Sequence, residues 1–356
     1  MANGNFLSFN SSLPQLHITS EDIEFDEETL QHWRDEGFDV HYIPMTGGGK
    51  PYRDLIMSLG DKLPFGGSYG IIAYGEAAAL CLDIASKPLP HCAALICYYP
   101  STIPKPNAMY PTQLNLVVHV TESQDLKAKF PVHVYAGVEP GFAEHDLDEF
   151  NAVAAGLAWT RSLAAVRKGF KREADLETVR GMHAAYTLVR KDADATIALM
   201  ATDPHVNYVP TMTGGVGKRA LQHFYDEFFC LGIPPDFRTR LISRTVGVDR
   251  VVDEMVISFT HTIEMPWILP AVPPTGKAVE VGFVSIVAIR GGKLVHEHIY
   301  WDQASVLMQI GALDPKQVPK ALSSKGCKRL PVAGRDAARK LLDMNKIPSN
   351  SMIPDW

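Results

Sequence analysis

No stretch of the chain holds the roughly 20 consecutive apolar residues that a membrane-crossing helix needs. No block of basic residues is present either. With 34 Lys and Arg against 40 Asp and Glu, the formal net charge is -6, so no nucleic-acid surface is expected. Cysteine is scarce: the five residues Cys81, Cys92, Cys97, Cys230 and Cys327 are odd in number and fit no metal spacing. Reduced, mostly buried thiols in a cytoplasmic protein are the expectation. The N-terminal "MANGNFLSFNSSLPQLHITSEDIEF" lacks a charged leader and a continuous apolar run, so it reads as neither signal peptide nor anchor. A phosphate loop is missing as well. "MTGGVGK" has Met212 where the first glycine belongs and Arg219 after the lysine, "TGGGK" near residue 50 fails similarly, and both read as flexible turns. No internal repeat is visible.

What remains is a chain of 356 residues, 46% hydrophobic and 21% charged, long enough for two domains with separate cores. Up to about residue 170, short apolar runs alternate with helical segments. "FDVHYI", "SYGIIAY", "CAALICYY", "LNLVVHV" and "FPVHVYAG" read as strands, separated by "KPYRDLIMSLGD" and "GEAAALCLDIAS" and closed by the long helix in "DEFNAVAAGLAWTRSLAAVRKGF". That alternation predicts a parallel sheet covered by helices. Beyond about residue 174 helices come first and long strands follow: "FRTRLISRTVGVDR", "VVDEMVISFTHTIEMP", "KAVEVGFVSIVAIRG" and "GKLVHEHIYWDQ". Helices on a strongly bent antiparallel sheet, an α+β cone, are expected there. The domains are drawn at 1–172 and 173–315, with a Lys-, Pro- and Ser-rich tail at 316–356.

"GSYGIIAYGEAAALCLDIA" has the strand, sharp turn and small-residue helix on which hydrolases mount a nucleophile. With "YYPSTIP" and "VHVYAGVEPGFAEHD", it makes residues 24 to 170 resemble the dienelactone hydrolase family of α/β hydrolases. The resemblance implies a Cys, Asp, His triad, and this chain departs from it. Gly75 stands at the nucleophile position and Pro140 at the base position, while Glu122 and Asp125 are the nearby candidates for the acid. Cys81 lies six residues past the apex, well along the helix. His91, His119, His133 and His145 have no nucleophile spaced to match them. Without nucleophile and base the triad chemistry is lost, and an α/β hydrolase-like scaffold is left.

The second domain resembles the SnoaL-like branch of the nuclear transport factor two superfold, on "DEMVISFTHTIEMPWILPAVPPTGK" and "KLVHEHIYWDQASVLMQIG". The resemblance implies a cone of bent sheet and helices around a cavity, metal-free cyclases among its members, and an acidic residue in the last part of the fold. In "GGKLVHEHIYWDQAS" a strand would set His296, His298, Tyr300 and Asp302 on one face, with Glu297 and Trp301 on the other. In "VVDEMVISFTHTIEMPW" Asp253 and His261 share a face, opposite Glu254.

His296 and His298 have a metal-ligand spacing, but Glu297 points away from both, and neither metal nor nucleotide cofactor is expected. Acid-base chemistry on a carbon skeleton fits the inventory better. Asp302 is the expected carboxylate, His298 and Tyr300 its hydrogen-bonding partners, and His296, His261 and Glu254 the further candidates. Tyr208, Met212, Tyr225, Phe229, Trp267 and Trp301 would shape the pocket for a hydrophobic, polyketide- or terpenoid-like small molecule. The expected activity is that of an isomerase or cyclase. Lyase chemistry, a pericyclase working by shape and hydrogen bonding, non-catalytic ligand binding and residual hydrolysis are the alternatives. A homodimer through the exposed sheet face is the expected assembly.

Overall fold

The computed structural model describes residues 13–124 and 128–356; the candidate acid Asp125 lies outside them. The chain divides into two compact units between Ala174 and Asp175.

The first unit runs β1 (Gln15–Ser20), α1 (Glu27–Asp35), β2 (Asp39–Pro44), α2 (Gly49–Met57), β3 (Tyr69–Tyr74), α3 (Gly75–Ala85), β4 (Cys92–Tyr98), β5 (Asn115–Thr121), β6 (His133–Tyr135) and α4 (Ala152–Phe170). All its strands pair in parallel, in the order β2-β1-β3-β4-β5-β6. Every residue of β3 is buried, as a strand with helices on both faces requires. The sequence reading misses β1. Its polar His17, Thr19 and Ser20 hide a strand that sits between β2 and β3 and is almost wholly buried. Thr19 and Ser20 are accommodated there by the hydroxyls of Tyr52 and Tyr42, at 2.8 and 2.7 Å.

The second unit opens with α5 (Leu176–Ala184), a π-helical turn (Ala185–Arg190), α6 (Ala193–Ala198), β7 (Met200–Tyr208), β8 (Thr213–Val216), α7 (Lys218–Phe224) and a second π-helical turn (Tyr225–Phe229). It continues with β9 (Arg238–Val246), β10 (Arg250–Thr260), β11 (Ala278–Arg290), β12 (Lys293–Trp301), α8 (Gln303–Ile310), α9 (Lys320–Ser323) and α10 (Arg335–Leu342). The sheet order is β8-β7-β12-β11-β10-β9.

Two expectations are corrected here. The sheet is mixed, because β12 lies parallel to β7, a pairing that needs a long crossover; the intervening helices and strands supply it. "MTGGVGK" is also no flexible turn, since Thr213–Val216 forms the edge strand β8 against β7. Gly214, at φ +122, is required there because any Cβ would strike the carbonyl of Val206. Irregularities between Glu254 and Met255, Ala288 and Ile289, and Leu294 and His296 bend the strands. The apolar core gathers in the bend, among residues of β7, β10, β11, β12 and the second π-helical turn, with Leu188 of the first packed against it.

The segment after residue 315 belongs to this unit. Gly334 N donates to Ser305 Oγ at 2.9 Å and Arg335 to the carbonyl of Ala278 at 2.6 Å. These bonds lay α10 on β11, where Gly282 leaves room for Leu341. No helix of the described residues is long and apolar enough to cross a membrane.

Candidate functional site

Strand β12 decides which of its faces meets the core. Leu294, Glu297, Ile299 and Trp301 are buried, whereas His296 and His298 are intermediate and Tyr300 and Asp302 exposed. The expected constellation is therefore on the other side of the sheet from the core. His296 and His298 stack with His205 of β7, ring centroids 4.8 to 5.2 Å apart. His205 Nε2 and His298 Nε2 share a hydrogen bond of 3.1 Å. Burial, together with its two imidazole neighbours, lowers the pKa of His296 to about 4. Asp302 caps α8, accepting from Ser305 N at 3.2 Å and Ser305 Oγ at 2.5 Å; a helix start needs that group regardless of any reaction. Glu254 accepts from Ser243 at 3.0 Å. His261 is buried past the end of β10, 3.2 Å from the hydroxyl of Thr275.

Inside the bend lies a polar network that the sequence reading did not assemble. Helical spacing sets Arg180 and His183 on the same side of α5, and both are buried, at 5% and 1% exposure. Arg180 donates to Asp253 Oδ2 at 3.0 Å, to Ser285 Oγ at 3.2 Å and to His183 Nδ1 at 3.3 Å, and it lies 3.6 Å from Glu297 Oε1. Ser285 donates to Glu297 Oε1 at 2.7 Å. From β9, Arg244 closes a bidentate pair on Asp253 at 2.6 and 3.0 Å. Two guanidinium groups thus face two carboxylates, the balance that a water-poor interior demands.

The electrostatics fix the state of His183. Burial lowers its pKa to about 4, opposed by the charge of Glu297 and aided by that of Arg180. The imidazole is neutral at pH 7, and because a guanidinium can only donate, its Nδ1 is the acceptor. The ring proton therefore sits on Nε2, a buried atom with no hydrogen-bond partner among the described residues. Tyr225 Oη is in the same condition. Burial, and then the charge of Glu297, raises the Tyr225 hydroxyl well above its usual value, so it too is a proton donor. For Asp253 burial pulls upward, but the hydrogen bonds of Arg244 and the charges of both arginines outweigh it and hold the carboxyl low.

Around these groups stand Tyr208, Phe229, Trp267 and Trp301, the substrate-shaping residues expected from sequence, with ring centroids of neighbouring pairs 5.3 to 6.4 Å apart. Tyr225 joins them 5.6 Å from Phe229. Met212 does not; it is 88% exposed, at φ +52. Tyr225 and Phe229 belong to the second π-helical turn, and the first follows directly on the helix bearing Arg180 and His183. Such turns recur at functional sites, because one extra residue in a turn redirects the side chains after it.

Over residues 179–297 the chain matches the SnoaL-like domain family. Arg180, His183, Tyr225, Asp253, Ser285 and Glu297 all fall inside that stretch. Among solved structures, one described as a SnoaL-like polyketide cyclase, from Jannaschia Sp. CCS1, is similar at 18% identity over 40% of this chain and 99% of its own, TM-score 0.33. TsrD from Streptomyces laurentii shares 20% identity over 40% of this chain and 100% of its own, TM-score 0.32. A protein with a ketosteroid isomerase-like fold from Catenulispora acidiphila DSM 44928 shares 17%, over 41% and 100%, TM-score 0.31. Similarities at this level say nothing of the reaction. No curated protein matches the chain.

In the first unit β3 runs into α3 at Gly75, φ +53. A side chain there would collide with the carboxylate of Glu21, which accepts from Glu76 N at 2.6 Å. Pro140 and Glu122 are exposed. Cys81 is fully buried in α3, and burial pushes its thiol up to about 12, so it offers no thiolate. Close to this turn, Tyr99 donates a hydrogen bond to the buried Glu144.

Proposed function

We propose that the SnoaL-like domain is an isomerase or cyclase that removes a proton beside the carbonyl of a hydrophobic polyketide- or terpenoid-like molecule and stabilises the resulting enolate. The observation that carries this reading is the pair of buried donors without partners among the described residues, His183 Nε2–H and Tyr225 Oη–H, near the carboxylate of Glu297. Each unsatisfied buried donor costs about 1–3 kcal/mol, a cost that an acceptor atom on a bound ligand would relieve. An enolate oxygen is a fitting acceptor: a neutral imidazole and a phenol donate to it without first having to lose a proton. Glu297 takes the role expected of Asp302. Ser285 holds Oε1, and Oε2 turns toward His183 Nδ1 at 3.9 Å, leaving a carboxylate able to accept a proton. Arg180 and Ser285 position that carboxylate and touch no substrate. The aromatic walls supply shape and exclude water.

The interior is closed: Tyr208, Tyr225, Phe229 and Trp267 are each at most 4% exposed. Entry of a substrate therefore moves the wall, and the π-helical turn carrying Tyr225 and Phe229 is the segment we assign to that movement. The first unit is read as a hydrolase-type scaffold without hydrolase chemistry, since the nucleophile position holds no side chain and Glu21 fills its place.

The test does not require the natural substrate. The protein is incubated in D2O with a panel of polycyclic ketones and β-dicarbonyl compounds, and deuterium uptake at the α-carbon is read by mass spectrometry. Exchange catalysed by the wild type, abolished in folded Glu297→Gln and reduced about 10²-fold in Tyr225→Phe, is expected. Exchange that survives Glu297→Gln would remove the carboxylate from the mechanism. Tight binding of panel members without any exchange would turn the reading to a ligand carrier.

A further inference from the structure

The start of α1 in the first unit is built more elaborately than a helix cap requires. Asp26 Oδ1 caps it, accepting from Glu28 N at 3.0 Å, while Oδ2 accepts from Thr29 Oγ1 at 2.6 Å. The same Oδ2 also accepts from His145 N at 2.9 Å and His145 Nδ1 at 2.8 Å. The carboxylate, 4% exposed, can only accept, so the His145 ring carries a proton on Nδ1, and Nε2 is the atom through which a neutral ring would bind a metal. One helical turn into α1, Glu28 and His32 follow at i and i+4, on the same face.

These three side chains converge. Glu28 Oε1 is 3.6 Å from His32 Nε2 and 3.5 Å from His145 Nε2, and one ligand atom from each residue lies within 4.8 Å of the other two. Separations of 3.5 to 3.6 Å are too long for good hydrogen bonds. The two separations from Glu28 lie near the edge of a coordination tetrahedron, about 3.3 Å for metal–nitrogen and metal–oxygen bonds of about 2.0–2.1 Å. A metal-bound histidine ordinarily gives its other ring N–H to a carboxylate, which fixes the tautomer and raises the ligand's basicity; Asp26 does this for His145. Aromatic rings shield the inner side, Phe150 at 4.5 Å from His145 and Trp159 at 5.9 Å from His32. Glu28, with 59% of its side chain exposed, marks the solvent side.

We propose that Glu28, His32 and His145 form a site for a divalent transition metal, Zn2+ foremost, oriented by Asp26 and open to water or an external ligand at the fourth position. Two imidazoles and one carboxylate suit Zn2+ and its neighbours in the first transition series, and offer too few oxygens for Ca2+ or Mg2+. The site is independent of the chemistry assigned to the SnoaL-like domain.

The experiment uses the full chain, stripped with a chelator and titrated with Zn2+ alone by calorimetry. A parallel titration with Co2+ alone reads the visible absorption of four-coordinate cobalt and the quenching of tryptophan fluorescence, Trp159 being beside His32. One equivalent of each metal is expected to bind. His32→Ala and His145→Ala should abolish binding, Glu28→Gln should weaken it at least tenfold, and Asp26→Asn by roughly 10–100-fold. Glu28→Gln alters an exposed side chain and keeps the test decisive should a histidine variant fail to fold. His296→Ala should change nothing. Absence of stoichiometric binding, or binding that persists undiminished in Glu28→Gln and both histidine variants, would overturn the proposal.

Discussion

Lowering the pH should destabilise the second unit through His183, by an amount the structure sets. The ordinary imidazole value of 6.5 falls to about 4 in the fold because the ring is buried, only 1% exposed, beside the Arg180 guanidinium. As pH falls through 6.5 the unfolded chain takes up the proton while the folded one still refuses it. Stability is therefore complete above the unfolded value and drains away below it. Linkage gives a loss of about 2 kcal/mol between about pH 7 and about pH 5, approaching about 3 kcal/mol below the folded value. Other groups titrate in the same range, among them His296 and His17, both near 4 in the fold. The measured quantity should thus be a difference between wild type and His183→Gln, which keeps an N–H donor but cannot titrate. Urea unfolding at each pH, read in α5 and β12 by hydrogen exchange, isolates the second unit from the first. The difference should move in the variant's favour by about 2 kcal/mol over that range. A difference that stays flat would mean that His183 is not held neutral by burial. The proposed donor to the enolate would fall with it.

Two further substitutions probe the network and the strand face. Arg180→Met keeps the volume but strips the buried carboxylates of a countercharge; a cost of about 3–5 kcal/mol in urea unfolding is expected, and a second change, Glu297→Gln, should return part of it. Asp302→Ala should cost about 1 kcal/mol by uncapping α8 while leaving deuterium exchange at the wild-type rate; loss of exchange in the folded variant would return the carboxylate role to Asp302.

Much of the fold is legible because its strands are apolar runs of the right length between turn residues, as in "SYGIIAY" and "CAALICYY". Strand β1 escapes because a parallel strand carrying His17, Thr19 and Ser20 is made tolerable by tyrosine hydroxyls from β2 and α2, distant in sequence. The pairing of β12 with β7 escapes because nothing local specifies it.

The sequence reading puts its candidate carboxylate on the face of β12 away from the core, whereas the proposed carboxylate, Glu297, lies on the core face. A face crowded with ionisable groups looks functional, yet His296 and Tyr300 are crowded together because that face is the wetter one. The signal for the proposed carboxylate is the opposite one: Glu297 stands alone among Ile299 and Trp301, a carboxylate in an otherwise apolar row. Arg180 and His183, three apart on a helix, were its natural countergroups, but only the bend of the sheet shows that they meet. The aromatic residues were easier to read, since large apolar side chains gather in a core whatever the reaction. Met212 failed that rule because it sits on the turn between β7 and β8, at a positive φ that carries its side chain outward.

The contact between Gly75 and Glu21 shuts any side chain out of that turn. A nucleophile placed at residue 75 meets a carboxylate already seated on Glu76 N. Shortening residue 21 first merely empties the seat. Neither step by itself seats a side chain at residue 75 without disturbing the bond to Glu76 N, so the two positions are coupled. Any side chain at residue 75 therefore requires both positions to change at once.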